Sequence, residues 1–156
     1  MRKMMIWAAA IALTGFTGLL PFSGTDVGKL HPVEVVIASV KDGIICVETD
    51  TGVCGTGENT QKAIEDLKRL AAGEVFLETA NYLLVREDSI YLLDAFYDLL
   101  RPACQVYVFA GNGEWEDVSK YLESHLSRMT LLRYRQGFRD VPRLFVQGEG
   151  YKIEGS

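Results

Sequence analysis

The chain has 156 residues, of which 48% are hydrophobic and 24% charged. That is enough apolar content to bury one core and too much for an intrinsically disordered chain. Sixteen basic residues stand against twenty-one acidic ones, a net charge of −5, which excludes a general nucleic-acid binder, because phosphate contacts need clustered positive charge. An odd count of cysteines, Cys46, Cys54 and Cys104, excludes a fully paired intramolecular framework.

The chain opens on a leader. Met1-Arg2-Lys3 is positive, and Met4–Leu20 carries no charge. Such a run is at the short end for a membrane-spanning helix and the long end for a signal-peptide core. Residues 1–25 are therefore expected to be a signal peptide or a membrane anchor. Ser23-Gly24-Thr25 offers small residues for a cut, and both outcomes stay open. No cysteine follows the apolar run, so there is no lipobox. Arg2 and Lys3 favour a cytoplasmic N-terminus and an exported domain, held at the cell membrane or secreted if the leader is cut. Beyond the leader, 16 less 2 basic residues face 21 acidic ones, a net −7.

Residues 26–32 read as a polar linker and residues 33–156 as the folded domain. Val33–Val40 and Ile44–Asp50 are β-rich, and Lys41-Asp42-Gly43 between them is a hairpin signal; the pair could extend toward Cys54. Gly52, Gly55 and Gly57 then precede a helix predicted over Asn59–Ala72. Ala63, Ile64, Leu67, Leu70 and Ala71 recur at helical spacing, Asn59 or Thr60 can cap its start, and Gly73 stands where a left-handed end would be wanted. Asn81–Arg86 reads as a strand covered on both faces. Asp88-Ser89 is expected to cap a second helix reaching about Leu100, with a stripe of Ile90, Leu93, Phe96, Tyr97 and Leu100, stopped by Arg101-Pro102. Gln105–Ala110 is a further apolar strand. Strand, helix, strand at this spacing implies a parallel crossover. Gly111-Asn112-Gly113 is a turn, and Trp115, Val118, Leu122, Leu126 and Met129 step along one face of a third helix. Arg128–Arg143 is irregular, broken by Gly137 and Pro142. Leu144–Gln147 and Tyr151–Glu154 around Gly148-Glu149-Gly150 form a closing hairpin or one bent strand. The expected fold is α/β (α+β-like), a mixed sheet of about four or five strands with three helices, after the N-terminal hydrophobic segment.

The chemistry-bearing residues form no catalytic, cofactor-binding or metal-binding constellation. The glycines before the first helix could cradle a phosphate, but they match neither G-x-G-x-x-G nor a Walker loop, and a tight strand-to-helix turn accounts for them. His31 falls in the linker. His125 adjoins Ser124, yet neighbours on a helix point about 100° apart and make no nucleophile–base pair. The carboxylates fit solvated faces; Asp94 and Asp98, one turn apart, could share a cation weakly. The cysteines have no metal spacing. They fit small buried hydrophobes, or Cys46 and Cys54 could pair if strand and loop fold back. The one basic cluster is Arg128, Arg133, Arg135, Arg139 and Arg143, interleaved by Tyr134 and Phe138. Arginine among aromatics is the composition of an interface core, so Arg128, Arg133, Tyr134, Arg135, Phe138 and Arg139 are the candidate partner surface, with membrane headgroups as another possible contact.

The run VEVVIASVKDGIICVETDTG, then GTGENTQKAIEDLKRLAAGEVFLETANYLLVRED, then YLLDAFYDLLRPACQVYVFAGNGEWEDV resembles the N-terminal domain of the Ger(x)C family, the C subunits of spore germinant receptors. The likeness rests on Gly55-Thr56-Gly57, Ala63, Leu67, Leu83–Glu87 and Phe96–Phe109, and on the glycine-marked ending LFVQGEGYKIEG. It covers roughly residues 33 to 155 and is that of a single-domain, non-lipoprotein relative. The resemblance implies a non-catalytic extracytoplasmic binding or assembly protein of sporulation or spore germination, with envelope or germination-related proteins as partners and the membrane reached through the N-terminal segment. The alternative is an exported small-ligand sensor or enzyme using acidic groups at the strand ends, where open α/β sheets often bind ligands.

Overall fold

The computed structural model describes residues 30–110, 117–147 and 150–155. The expected leader, most of the linker and the Gly111-Asn112-Gly113 turn with Trp115 lie outside the described residues. The main sheet is mixed, with strands β2 (Val35–Lys41), β3 (Ile44–Thr49), β4 (Cys54–Gly57), β6 (Tyr82–Arg86), β7 (Gln105–Ala110), β8 (Arg143–Gln147) and β9 (Gly150–Glu154). Their order across the sheet is β4-β3-β2-β6-β7-β8-β9. The central strands β2, β6, β7 and β8 run parallel, and β3–β4 and β9 are antiparallel at the two edges. A separate parallel pair joins β1 (Leu30–Pro32) to β5 (Glu74–Phe76). The end of the expected linker is thus paired backbone. The class is α/β with a mixed sheet, as expected, but with more strands, because edge segments of three to five residues carry too little periodicity to be seen in sequence.

The opening hairpin has a two-residue turn with Asp42 and Gly43 both at positive φ, 51° and 79°, the geometry that matches strand twist. Helix α1 (Thr60–Leu70) starts on Asn59, whose side chain accepts from Lys62 N at 2.8 Å. It buries Ala63, Ile64 and Leu67, whereas Leu70 is 55% exposed. The chain leaves α1 through Ala71 in extended conformation, and Gly73 is not among the left-handed glycines. The glycines before α1 divide by role. Gly52 makes a left-handed turn with φ +78°. Gly55 and Gly57 lie within β4 and let α1 approach: a Cβ on Gly57 would stand 2.5 Å from Ala63 N.

The second expected helix is mostly not one. Glu87–Leu92 is a 3₁₀ turn followed by a single α turn, α2 (Leu93–Phe96). Ser89 is no cap. It is fully buried, accepts from Val40 N at 3.1 Å and donates to Asp88, so a bond to the end of β2 fixes this segment. Leu93, Phe96 and Leu100 are nonetheless buried as the stripe required. The third helix, α3 (Val118–Ser124), buries Val118 and Leu122 and stops at His125. Leu126 is 65% exposed, and Met129 packs with the opposite sheet face. Backbone bonds explain the early stop, since Met129 O takes Val106 N and Thr130 bridges Gln105. The ending is a hairpin, with Gln147 opposite Gly150.

Alternation sorts the core into two layers. Val36, Ala38, Leu83, Val85, Val106 and Val108 face α1, α2 and the later helix of the arginine segment. Val35, Ile37, Tyr82, Leu84, Tyr107, Phe109 and Leu144 face the other way, toward α3 and the closing hairpin. Both faces of β6 and β7 are therefore buried, as expected for parallel strands.

Candidate functional site

The segment that reads as irregular in sequence contains a short helix, α4 (Leu131–Arg135). Thr130 caps it, its side chain accepting from Arg133 N at 3.3 Å. Leu131 and Tyr134, three apart, bury its inner side. Main-chain bonds from Leu131 N to Cys104 O and from Leu132 N to Pro102 O fasten it to the approach to β7. Gly137, at φ +100°, turns the chain out, and Phe138 N returns to Arg133 O. The helix needs only two anchors because its backbone is held from outside.

This framework places three guanidiniums over rings. Arg133 lies 4.5 Å from the Phe138 centroid, Arg135 4.3 Å from Tyr97, and Arg139 4.2 Å from Tyr134. Each contact contributes about 0.5–1 kcal/mol at an exposed site. Arg133 also donates to Arg128 O at 3.2 Å, and Arg139 donates to Tyr134 O. Arg135 stands 3.9 Å from Asp98, both well exposed, so that pair contributes little. Stacking occupies a guanidinium's face and leaves much of its N–H edge for a carboxylate or phosphate.

A cleft of about 640 Å³ opens beside the amino end of β8. Arg128, Arg133, Phe138 and Arg143 line it, with Asp140 and Glu154. Arg143 is tied to Glu87 at 2.5 Å. The structure thus gathers Arg128, Arg133 and Phe138, with Arg143, around one concavity. It turns Arg135 toward Tyr97 and Asp98 on a neighbouring surface. Tyr134 is 7% exposed and carries Arg139 on its ring. Tyr97, the partner of Arg135, was hidden in sequence as one more apolar stripe position thirty-eight residues earlier.

Ser124 and His125 are closer than helical geometry implies. The chain leaves the helix at His125, with φ −131°, and Ser124 Oγ lies 3.2 Å from His125 Nδ1. Both, however, point at one acceptor: Ser124 Oγ is 3.0 Å and His125 Nδ1 2.9 Å from Tyr121 O. A ring nitrogen that donates to a carbonyl carries the proton, so it is not the base for the serine. The ring also stacks on Tyr121 at 4.1 Å.

Among the described residues no three His, Cys, Asp or Glu side chains are placed to hold a metal ion, and no helix is long and apolar enough to cross a membrane. Cys104 is buried as expected, but Cys46 is half-buried and Cys54 exposed, so only one cysteine is a core residue. No family model matches the chain, and no curated protein or solved structure matches it significantly.

Proposed function

We propose that this chain is a non-catalytic, extracytoplasmic binding or assembly module, brought to the membrane by its N-terminal segment, whose docking surface is the arginine–aromatic segment. One observation carries the reading. In a chain with an acidic excess, residues 128–143 hold five arginines against Asp140 alone; three of those arginines lie over aromatic rings, and one of the three, Arg133, lines a cleft with Arg128 and Arg143. Ordering long side chains before a partner arrives reduces the entropy lost on binding. Exposed Leu132 and Phe138 (42% and 49%) supply apolar contact beside the charges. The partner that fits is an envelope protein presenting carboxylates. A role in sporulation or germination rests on the Ger(x)C resemblance and makes a spore-envelope protein the first to try.

The test is capture. A photo-crosslinking residue in place of Leu132, in the native host, is expected to trap one envelope protein. Arg128→Ala with Arg133→Ala is expected to cut that yield at least tenfold, at about 1–2 kcal/mol per interface arginine, with the fold retained and the melting temperature lowered only by what loss of the Arg133–Phe138 contact costs. Undiminished capture by the double variant removes this surface from the proposal.

A further inference from the structure

Cys46 and Cys54 lie on the two outermost strands of one sheet edge. In the register of β3 and β4, Cys46 stands opposite Thr56, and Glu48 opposite Cys54. The cysteines are therefore diagonal neighbours on one face, not a directly opposed pair. Their sulfur atoms are 2.8 Å apart, inside the roughly 3.5–4.0 Å of ordinary non-bonded contact. The opposite face of β4 is occupied by α1, seated on Gly55 and Gly57. We infer that Cys46 and Cys54 are a modification site, the two halves of an intramolecular disulfide that clamps the edge strand β4, and with it the seat of α1, to the rest of the sheet.

The co-reactant is a disulfide, either a small-molecule one or that of a thiol–disulfide oxidoreductase. One cysteine thiolate attacks a sulfur of the oxidant, R–S–S–R, and expels RS⁻, leaving a mixed disulfide. The second cysteine, already in contact, attacks the protein sulfur of that bond and expels the other RS⁻. The two S–H protons end on the two RSH products, and the oxidant gains the two electrons the protein loses. Cys54 is the exposed partner and the one an external oxidant reaches. Its sulfur nevertheless rests against Cys46. Partial burial first, and the hydrogen bond with Cys46 next, push its thiol up to about 12, so its own attack is slow near neutrality and quickens with pH. Cys104, buried and on another strand approach, is the internal control. The inference does not depend on the arginine surface, and either can fail alone. It does require contact with a disulfide oxidant, the ordinary condition outside the cytoplasm.

The experiment is peptide mapping of the folded full chain after equilibration with oxidised glutathione at about pH 8.5, near the ordinary thiol pKa. The expected product is a Cys46–Cys54 cross-linked peptide two hydrogens lighter than its parts, with Cys104 unmodified. Oxidation is expected to raise the melting temperature by roughly 5 °C or more, reversed by dithiothreitol, and Cys46→Ser with Cys54→Ser is expected to show no such response. A persisting glutathione adduct on Cys54 beside a free Cys46, disulfide-linked dimers, or an unchanged melting temperature in cross-linked protein would each overturn the assignment.

Discussion

Tyr107 is a core residue with one polar atom to satisfy, and it satisfies it at the base of the arginine segment. Its side chain is fully buried in the layer under α3. The hydroxyl lies 3.0 Å from Gln105 Oε1 and 3.2 Å from His125 O, and accepts from Ser127 N at 3.0 Å. That network fixes the chain where it leaves α3, one residue before Arg128. Tyr107→Phe should cost about 1–2 kcal/mol in chemical denaturation, the cost of leaving buried partners underserved. It should also change the alkaline limb of stability. Burial pushes the phenol from 10.0 up to about 12. A folded value above the unfolded one gives stability that is complete below pH 10 and lost as pH rises to about 12. Burial raises Cys104 and, with the Cys46 contact, Cys54 to about 12 as well, and it also raises Tyr82, so the wild-type decline has several sources and the phenylalanine variant should lose only the share of Tyr107. An undiminished slope in that variant would show that the phenol does not titrate as argued. In sequence Tyr107 is one of six residues in an apolar strand, and that much is legible. Its polar role is not, because two of its three partners come from residues 18 and 20 positions later.

At the scale of elements, β4 and α1 depend on an absence of side chain. A Cβ on Gly55 would lie 2.5 Å from Leu67 Cβ and closer still to Ala63 O and Leu67 N. Two of those atoms are helix backbone and cannot swing away. Gly55→Ala should therefore cost about 3 kcal/mol or more, at the upper end of overpacking. Gly52→Ala should cost about 1–2 kcal/mol, because Gly52 has φ +78° but open space around it and the loss is conformational alone. Equal losses in urea unfolding would refute the close-approach account. The glycines stand out in the sequence, but their different reasons do not, since the approach of Gly55 to Ala63 and Leu67, eight and twelve residues on, is a tertiary fact. Elements with their own signal were readable: the Asp42-Gly43 hairpin, the Asn59 cap, and the strands around Leu83 and Val106. Helix α4 was not, because Leu131 and Tyr134 make less than one repeat of a pattern and the hydrogen bonds that hold it come from Pro102 and Cys104. The arginine cluster was readable as composition, while the cleft beside it and the burial of Tyr134 follow only from the fold.

Across the whole molecule, stability should fall from the middle of the sheet to its edges. Strands β2, β6 and β7 are paired on both sides and carry fully buried residues on both faces, among them Val35, Val36, Leu83, Leu84, Val106 and Tyr107. Opening them costs most of the core, so their amides should exchange only on global unfolding. Among the described residues β4 and β9 are each paired on one side. β4 has a helix on one face and, on the other, Cys54 against Cys46 of β3, whereas β9 shows alternate half-buried and exposed residues. Hydrogen–deuterium exchange should therefore rank β2, β6 and β7 slowest and β9 fast. Joining Cys46 to Cys54 removes the local opening of β4 but leaves the far edge untouched. Oxidised protein should gain protection in Cys54–Gly57 and along Thr60–Leu70, at least tenfold where exchange is by local opening, with none gained in Gly150–Glu154. A uniform gain across the sheet would mean that the cross-link acts on global stability alone, and that β4 and α1 do not open as a separate unit.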